Sequence, residues 1–176
     1  MARRPTLVVL DAGAVFGALE HDAWEALTKS YEVILPQIVM NEVQFYVSRD
    51  TRKKIYVDPE TWVEEGKVQR FEATVEDLAE TLGLINAPDG PEIHNGEAEA
   101  LTYLRLKVNP DSTDIAFVSA DGAAIQATAL LDLSHTASCL AEVLQAVGFS
   151  KTLASRHMRG FVEQHLQKGL ERKLRR

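Results

Sequence analysis

Residues 6–11 of this chain read Thr-Leu-Val-Val-Leu-Asp, a short apolar run that ends on a carboxylate. The run does not alternate apolar with polar residues, which is typical of a strand buried on both faces, as in a parallel sheet. A second apolar run, residues 115–120, also ends on an acid, Asp121. Because ligands bind outside the carboxyl ends of strands in open α/β sheets, we expect Asp11 and Asp121 to project into one crevice.

Strand-like and helix-like segments alternate along the rest of the chain. A third strand is predicted at Glu32–Leu35, and a weak one near residues 133–135. Helices are predicted over residues 12–29 with a break near His21, from Pro36 to about Val47, and over 75–82, 97–108, 122–131, 137–147 and 153–176. Residues 48–67 read as polar and irregular, and 86–91 and 109–114 as loops. The alternation predicts an α/β sandwich with a short, mostly parallel sheet.

Charge and composition divide the chain into an acidic body and a basic end. Residues 1–150 carry 11 Lys and Arg against 24 acids, whereas residues 151–176 carry eight against two. An acidic body argues against nonspecific coating of DNA. The basic end is predicted to be a helical extension of a domain at 1–150. It is either a solvated helix or a contact for a phosphate backbone or an acidic partner.

Composition also limits the cellular locations and the kinds of metal site that fit this sequence. The chain has no apolar run near the ~20 residues that span a bilayer, and its amino-terminal apolar run is too short for a signal peptide. We therefore expect a cytoplasmic protein without membrane contact. A single cysteine, Cys139, excludes an internal disulfide and a cysteine-based zinc cluster.

Helical geometry singles out two further acids. At ~100° per residue, Glu42 falls among apolar side chains of its predicted helix and away from the polar face that holds Asn41. Glu97 shares a stripe with Leu101, whereas Glu99 is predicted on the opposite side of the same helix. Glu97 also opens its helix, where the helix dipole favours a carboxylate.

Each of these four acids also has a simpler interpretation. Asp11 can cap a helix, Asp121 can belong to a turn, Glu97 can be a first-turn acid and Glu42 can point to solvent. Taken together, however, all four are compatible with one pocket at one sheet edge. Clustered carboxylates raise one another's pKa, and Mg²⁺ or Mn²⁺ relieves that repulsion through oxygen ligands. Such a site suits phosphodiester hydrolysis.

Four segments of the chain carry a family resemblance. They are residues 8–14 (VVLDAGA), 35–43 (LPQIVMNEV), 96–101 (GEAEAL) and 117–124 (FVSADGAA). In this order they resemble the PIN-domain family of metal-dependent ribonucleases, which includes toxins of bacterial and archaeal toxin–antitoxin pairs. The resemblance implies a three-layer α/β/α fold in which Asp11, Glu42, Glu97 and Asp121 form the catalytic, metal-binding quartet.

The resemblance also implies partners and shows departures. It implies an RNA substrate, a Mg²⁺ or Mn²⁺ cofactor, an antitoxin protein that blocks the crevice, and a homodimer. Ser119 corresponds to a hydroxyl that often supports the site. Gly13, by contrast, stands where many members carry Ser or Thr. Residues 48–67, with the basic group Arg49, Arg52, Lys53 and Lys54, and the helix after residue 151 look like additions to a minimal domain.

Three functions are weighed on these grounds. The first is a metal-dependent endoribonuclease, as in the toxin of a toxin–antitoxin pair. The second is a non-catalytic PIN-like module that binds RNA or protein, which has no need of four acids. The third, a phosphatase with Asp11 as nucleophile, is disfavoured because Gly13 stands where a second aspartate is required.

Overall fold

A parallel sheet forms the centre of the computed structural model, which describes residues 5–86, 89–109 and 114–176. Within those residues the sheet has five strands, all parallel, in the order β5-β2-β1-β6-β7. The strands are β1 (Leu7–Leu10), β2 (Glu32–Pro36), β5 (Gln69–Phe71), β6 (Ile115–Val118) and β7 (Ala137–Ser138). Two further strands, β3 (Phe45–Val47) and β4 (Lys54–Tyr56), form a separate antiparallel hairpin.

Helices connect the strands. They are α1 (Ala12–Glu20), α2 (Trp24–Ser30), α3 (Gln37–Glu42), α4 (Pro59–Glu64), α5 (Val75–Ile85), α6 (Asn95–Lys107), α7 (Gly122–Leu130), α8 (Leu140–Gln145) and α9 (Arg159–Leu174). The predicted break near His21 is confirmed by the separation of α1 from α2. Among the described helices, none is both long enough and apolar enough to cross a membrane. Residues 87–88 and 110–113 of the two predicted loops lie outside the described residues.

Both faces of the sheet are covered, which explains why its strands are apolar without alternation. Val8 and Leu10 of β1 pack into one core with α1, α2 and α8. Val9, between them, packs into a second core with α5, α6 and α7. Successive side chains of a strand point to opposite faces, so two apolar cores require an apolar residue at every position. The prediction of an α/β fold around a parallel sheet is confirmed, and the two cores are consistent with a three-layer sandwich.

The register of the central strands sets the geometry of the carboxyl edge. Leu10 of β1 pairs with Val118 of β6, and the Asp11 amide donates to the Val118 carbonyl at 3.3 Å. The residues that follow the two strands, Asp11 and Ser119, are therefore neighbours across the sheet. Asp114, which precedes β6, instead accepts from Thr6 and Leu7 at the amino edge through its backbone carbonyl.

The predicted helix from Pro36 to Val47 is wrong in its length. Pro36 is the last residue of β2, and α3 ends at Glu42. Val43 follows as a non-helical cap, and Phe45–Val47 pairs with Lys54–Tyr56. The β-branched and aromatic residues of 45–47 favour a strand once a partner strand is available.

The interpretation of residues 48–67 as irregular is also wrong, because they contain β4 and α4. Asp58 caps α4 by accepting from Glu60 N at 3.1 Å, and Pro59 occupies its first turn. Trp62 of α4 stacks on Trp24 of α2, with ring centroids 4.4 Å apart. The weak strand predicted near 133–135 is likewise corrected: residues 134–136 form a 3₁₀ turn, and the strand is at Ala137–Ser138.

Helix α9 packs on the outside of α7. A methyl group on Gly169 would lie 2.5 Å from the Gln126 carbonyl oxygen, so only glycine permits the helices to approach this closely. Val162 adds apolar contact with Ile125 and Cys139 in a third small core. The basic helix is thus held against the sandwich along its length.

Candidate active site at the carboxyl edge of the sheet

Asp11 is the most deeply enclosed acid of the site, with only 3% of its surface exposed. It caps α1, and Oδ1 accepts from Ala14 N at 2.6 Å. Oδ2 accepts from Ser119 Oγ at 2.5 Å and from Ala120 N at 3.1 Å. Burial raises the pKa of Asp11, and the nearby charge of Asp121 raises it further, although the hydrogen bonds oppose the shift.

Ser119 and Asp121 follow β6 and face Asp11. Ser119 is buried, and its Oγ both donates to Asp11 and accepts from Asp121 N at 3.0 Å. Asp121 is half-buried and caps α7, with Oδ1 accepting from Ala123 N at 2.6 Å and Ala124 N at 3.2 Å. One serine hydroxyl therefore connects the two acids that end β1 and β6.

Glu97 approaches the same edge from α6. It is half-buried in the first turn of α6, and its Oε2 accepts from His94 N at 3.0 Å. Burial raises the pKa of Glu97 to about 7, and the charges of Asp121 and Asp11 add to the shift. Glu97 thus lies within electrostatic reach of both strand-end acids.

Glu42 differs from the other three acids. It is exposed at the end of α3, so its predicted place inside an apolar arc is wrong. The helical projection assumed a helix continuing to Val47, and that helix stops at Glu42. The carboxylate nevertheless lies beside the first turn of α6: a methyl group on Gly96 would lie 3.4 Å from Glu42 Oε1.

Glu99, predicted to lie away from the stripe of Glu97, is in fact buried with 3% of its surface exposed. Its Oε2 accepts from Ile38 N at 2.8 Å, and its Oε1 accepts from Ala73 N at 2.9 Å. Glu99 therefore fastens the start of α3 and the segment after β5 to α6. Its partners are distant in sequence, so no local signal distinguishes it from a surface glutamate.

Gly13, where the resembled family often has Ser or Thr, lies in a confined position. A methyl group there would lie 3.0 Å from the Ala120 Cβ and 3.5 Å from Asp11 Oδ1. A larger side chain would therefore press on the loop that carries Ala120. The hydroxyl that supports Asp11 comes instead from Ser119 across the sheet.

None of the four acids forms an ion pair with Lys, Arg or His among the described residues, although His94 lies within electrostatic reach of Glu97 and His165 within reach of Asp121. Their donor atoms suit a hard divalent cation, which binds carboxylate oxygens. As the side chains stand, however, no three His, Cys, Asp or Glu residues within the described ranges are grouped closely enough to hold a metal ion. Capping bonds occupy one oxygen each of Glu97, Asp121 and Asp11, and the second oxygen of Asp11 accepts from Ser119 and Ala120.

His165 of α9 is a neighbour of the site that the sequence did not indicate. Its ring packs directly on Gly122, where any side chain would overlap it. Its Nδ1 lies 3.1 Å from Gln126 Nε2. Burial lowers the pKa of His165, and the charge of Asp121 acts in the opposite direction. A helix outside the sandwich thus reaches the residue next to Asp121.

Comparisons with known proteins give no family assignment. No protein-family model, no curated protein and no solved structure matches this chain. The resemblance to PIN-domain ribonucleases therefore stays a prediction from the four sequence segments.

Proposed function

We propose that this protein is a divalent-metal-dependent endoribonuclease that hydrolyses RNA phosphodiester bonds at the carboxyl edge of its sheet. The observation that carries the proposal is the convergence of Asp11, Asp121 and Glu97. These acids come from distant parts of the chain and form no ion pair with a described residue. The charge of Asp121 raises the pKa of Asp11, and the charges of Asp121 and Asp11 raise the pKa of Glu97. Carboxylate charges gathered in this way are unfavourable unless a ligand neutralises them.

Each residue has a definite role in this proposal. Asp11, Asp121, Glu97 and Glu42 would hold the metal, and the metal would activate a water and neutralise charge on the phosphate. Ser119 orients Asp11 through its 2.5 Å hydrogen bond. Backbone amides at the starts of α1 and α7 fix the strand-end acids, which leaves Asp121 Oδ2 without a hydrogen bond from a described residue.

The proposal is tested by RNA cleavage with purified protein, structured RNA and Mn²⁺. Asp11→Asn removes a ligand charge, and we expect cleavage to fall by more than about a hundredfold. Asp22→Asn is the matched control, because Asp22 is exposed and its positive φ of 57° suits asparagine. Cleavage that persists in Asp11→Asn and resists EDTA would refute the proposed chemistry.

A non-catalytic module that binds RNA or protein is the second candidate. It is favoured by the lack of a metal-holding group of three acids among the described residues, and by the capping bonds of Asp11, Asp121 and Glu97. In that case Mn²⁺ leaves both the melting temperature and the RNA unchanged. Homodimerisation, an antitoxin partner and a cytoplasmic location stay predictions.

A further inference from the structure

A row of basic residues begins at His165 on one face of α9 and ends at Arg175, the residue that caps the helix. His165, Lys168, Arg172 and Arg175 are spaced three or four residues apart, so they share one side of the helix. At 1.5 Å per residue, the row from His165 to Arg175 is about 15 Å long. His165 sits on Gly122, directly beside Asp121. The row therefore starts at the acid cluster and leads away from it.

Two adjoining clefts follow this row. The first is lined by Gln126, Lys168, Glu171, Arg172 and Arg175. The second is lined by Asp89, Gly90, Arg172, Arg175 and Arg176. Because Arg172 and Arg175 line both, the clefts form one basic groove. Gln126 links its near end to the site, since its amide lies 3.1 Å from His165 Nδ1.

Some cations of α9 and of the two residues that follow it anchor the helix, and others have side chains without a protein partner among the described residues. Arg176 donates to the carbonyl oxygens of Leu84 and Ile85 at the end of α5, at 2.8 and 2.5 Å. Arg172 donates to the Asp89 carbonyl, and Lys173 pairs with Asp132. The side chains of Lys168 and Arg175 are exposed, and neither makes a hydrogen bond or ion pair with any described residue. These two side chains are free to meet an anion.

We infer that this groove, between α9 and α7, binds the phosphate backbone of the RNA strand on one side of the scissile bond. The inference rests on the proposed function, because an RNA strand in the groove is expected only if the acids near His165 cleave RNA. An acidic site repels a polyanion unless cations flank it, and this groove supplies them. A stacked strand advances about 3.4 Å per nucleotide, so 15 Å accommodates about four phosphates.

A second basic region, at the hairpin of β3 and β4, is a less suitable site for binding the RNA backbone because two of its cations are engaged. Arg49 is engaged with His21, its NH1 2.5 Å from His21 Nε2. Lys54 lies over the Phe45 ring, 4.2 Å from the centroid. Arg52 and Lys53 remain exposed there. They serve as a matched comparison because the same number of available charges lies on each surface.

The experiment measures binding of a fluorescein-labelled oligouridylate by anisotropy in EDTA at several salt concentrations. EDTA prevents metal-dependent cleavage, so binding is read separately from catalysis. We expect the double variant Lys168→Gln/Arg175→Gln to bind about tenfold more weakly at low salt. Its salt slope should fall by about 1.4, since each phosphate contact with a single strand contributes about 0.7. Arg52→Gln/Lys53→Gln should retain affinity and slope.

A variant of Glu171, the acid within the groove, tests whether RNA affinity changes in the direction that the groove charge predicts. Glu171→Gln removes a negative charge beside Arg172 and Arg175, so RNA binding should tighten by about two- to threefold. A purely structural role for α9 would not produce tighter binding. Melting temperatures of all variants establish that α9 still packs on α7.

The outcomes separate the groove from the chemistry. An unchanged salt slope in Lys168→Gln/Arg175→Gln would overturn the groove as the RNA-binding surface, and so would a loss of RNA affinity confined to Arg52→Gln/Lys53→Gln. Mn²⁺-dependent cleavage by the same protein would still support the nuclease proposal. If RNA affinity falls in Lys168→Gln/Arg175→Gln but the protein shows no cleavage that depends on Asp11, the RNA-binding groove is supported and the nuclease proposal is refuted. Failure of the wild-type protein to bind RNA, with binding of polyglutamate instead, overturns the groove as an RNA site.

Discussion

The two sides of the acid cluster hold their carboxylates in opposite ways. At the junction of β1 and β6, Asp11 is buried and accepts three hydrogen bonds. At the junction of α3 and α6, Glu42 is exposed, and its carboxylate accepts no hydrogen bond from a described residue. A sheet register fixes the strand-end acid before any ligand arrives, whereas the helix-end acid keeps its freedom. We therefore expect the first side to determine whether chemistry occurs and the second to adjust how tightly metal binds.

Among residues that would not themselves bind the metal, the largest expected effect is on the strand-end side, at Ser119. Ser119→Ala removes the 2.5 Å hydrogen bond to Asp11 and the acceptor for Asp121 N. We expect Mn²⁺-dependent RNA cleavage to fall by roughly 10–100-fold, as for other residues that orient a metal ligand. Single-turnover cleavage measures this. Ser119→Thr keeps the hydroxyl and should retain most activity; equal losses in both variants would point to packing instead.

The next effect compares two glutamates of α6, Glu99 and Glu97. Glu99→Gln places an amide NH₂ against either Ile38 N or Ala73 N, both of which are donors. We expect the free energy of unfolding to fall by about 1–3 kcal/mol. Urea denaturation monitored by circular dichroism measures the loss. Glu97→Gln is the matched control and should not destabilise, because its ionised form is disfavoured by burial.

Metal should stabilise the protein through both sides of the site, and mainly through the strand-end side. At ten times the dissociation constant, a bound ion adds about 1.4 kcal/mol, which raises the melting temperature by roughly 3–6 °C. Differential scanning fluorimetry with Mn²⁺ should show this shift, and EDTA should reverse it. Asp121→Asn should abolish the shift and Glu42→Gln only reduce it. An undiminished shift in Asp121→Asn would reverse the contrast between the two sides.

Glu97 also makes the metal-free protein sensitive to pH. Its pKa is about 7 in the folded state against a usual value of 4.5. Between those values the folded protein keeps a proton that the unfolded chain has lost, so this group lowers stability as pH rises through the window. Glu97→Gln should therefore raise the melting temperature in EDTA at pH 8, by a few degrees, and leave it nearly unchanged at pH 4.5.

The smallest expected effect is on the pH dependence of stability at His157, a buried histidine outside the acidic site. Burial and the charges of Arg156, His21 and Arg49 lower the pKa of His157 to about 4 from 6.5. The unfolded chain therefore takes up a proton first, and stability contributed by neutral His157 is lost as pH falls from 6.5 towards 4. Between pH 7.5 and 5.5 we expect a loss of roughly 1 kcal/mol that is missing in His157→Asn. Urea denaturation at both pH values measures it, and equal losses in both proteins would contradict it.

Much of the fold could be predicted because its signals are local. The apolar runs before Asp11 and Asp121, and the break near His21, depend on neighbouring residues only, and the structure has strands and a helix end there. The end of α3 could not be predicted, because residues 45–47 become a strand only through pairing with residues 54–56. The helical projection that placed Glu42 inherited this error.

The acids divide in the same way. Sequence by itself determined that Asp11 and Asp121 follow apolar strands, because two buried faces require an apolar residue at each strand position. Only the tertiary structure decided that Glu99 is buried, since its partners Ile38 and Ala73 come from other elements. It also placed His165 of α9 against Gly122, the residue after Asp121. The secondary structure at these positions is set by neighbouring residues. The burial of a charged side chain depends instead on hydrogen-bond donors that the fold brings from distant parts of the chain.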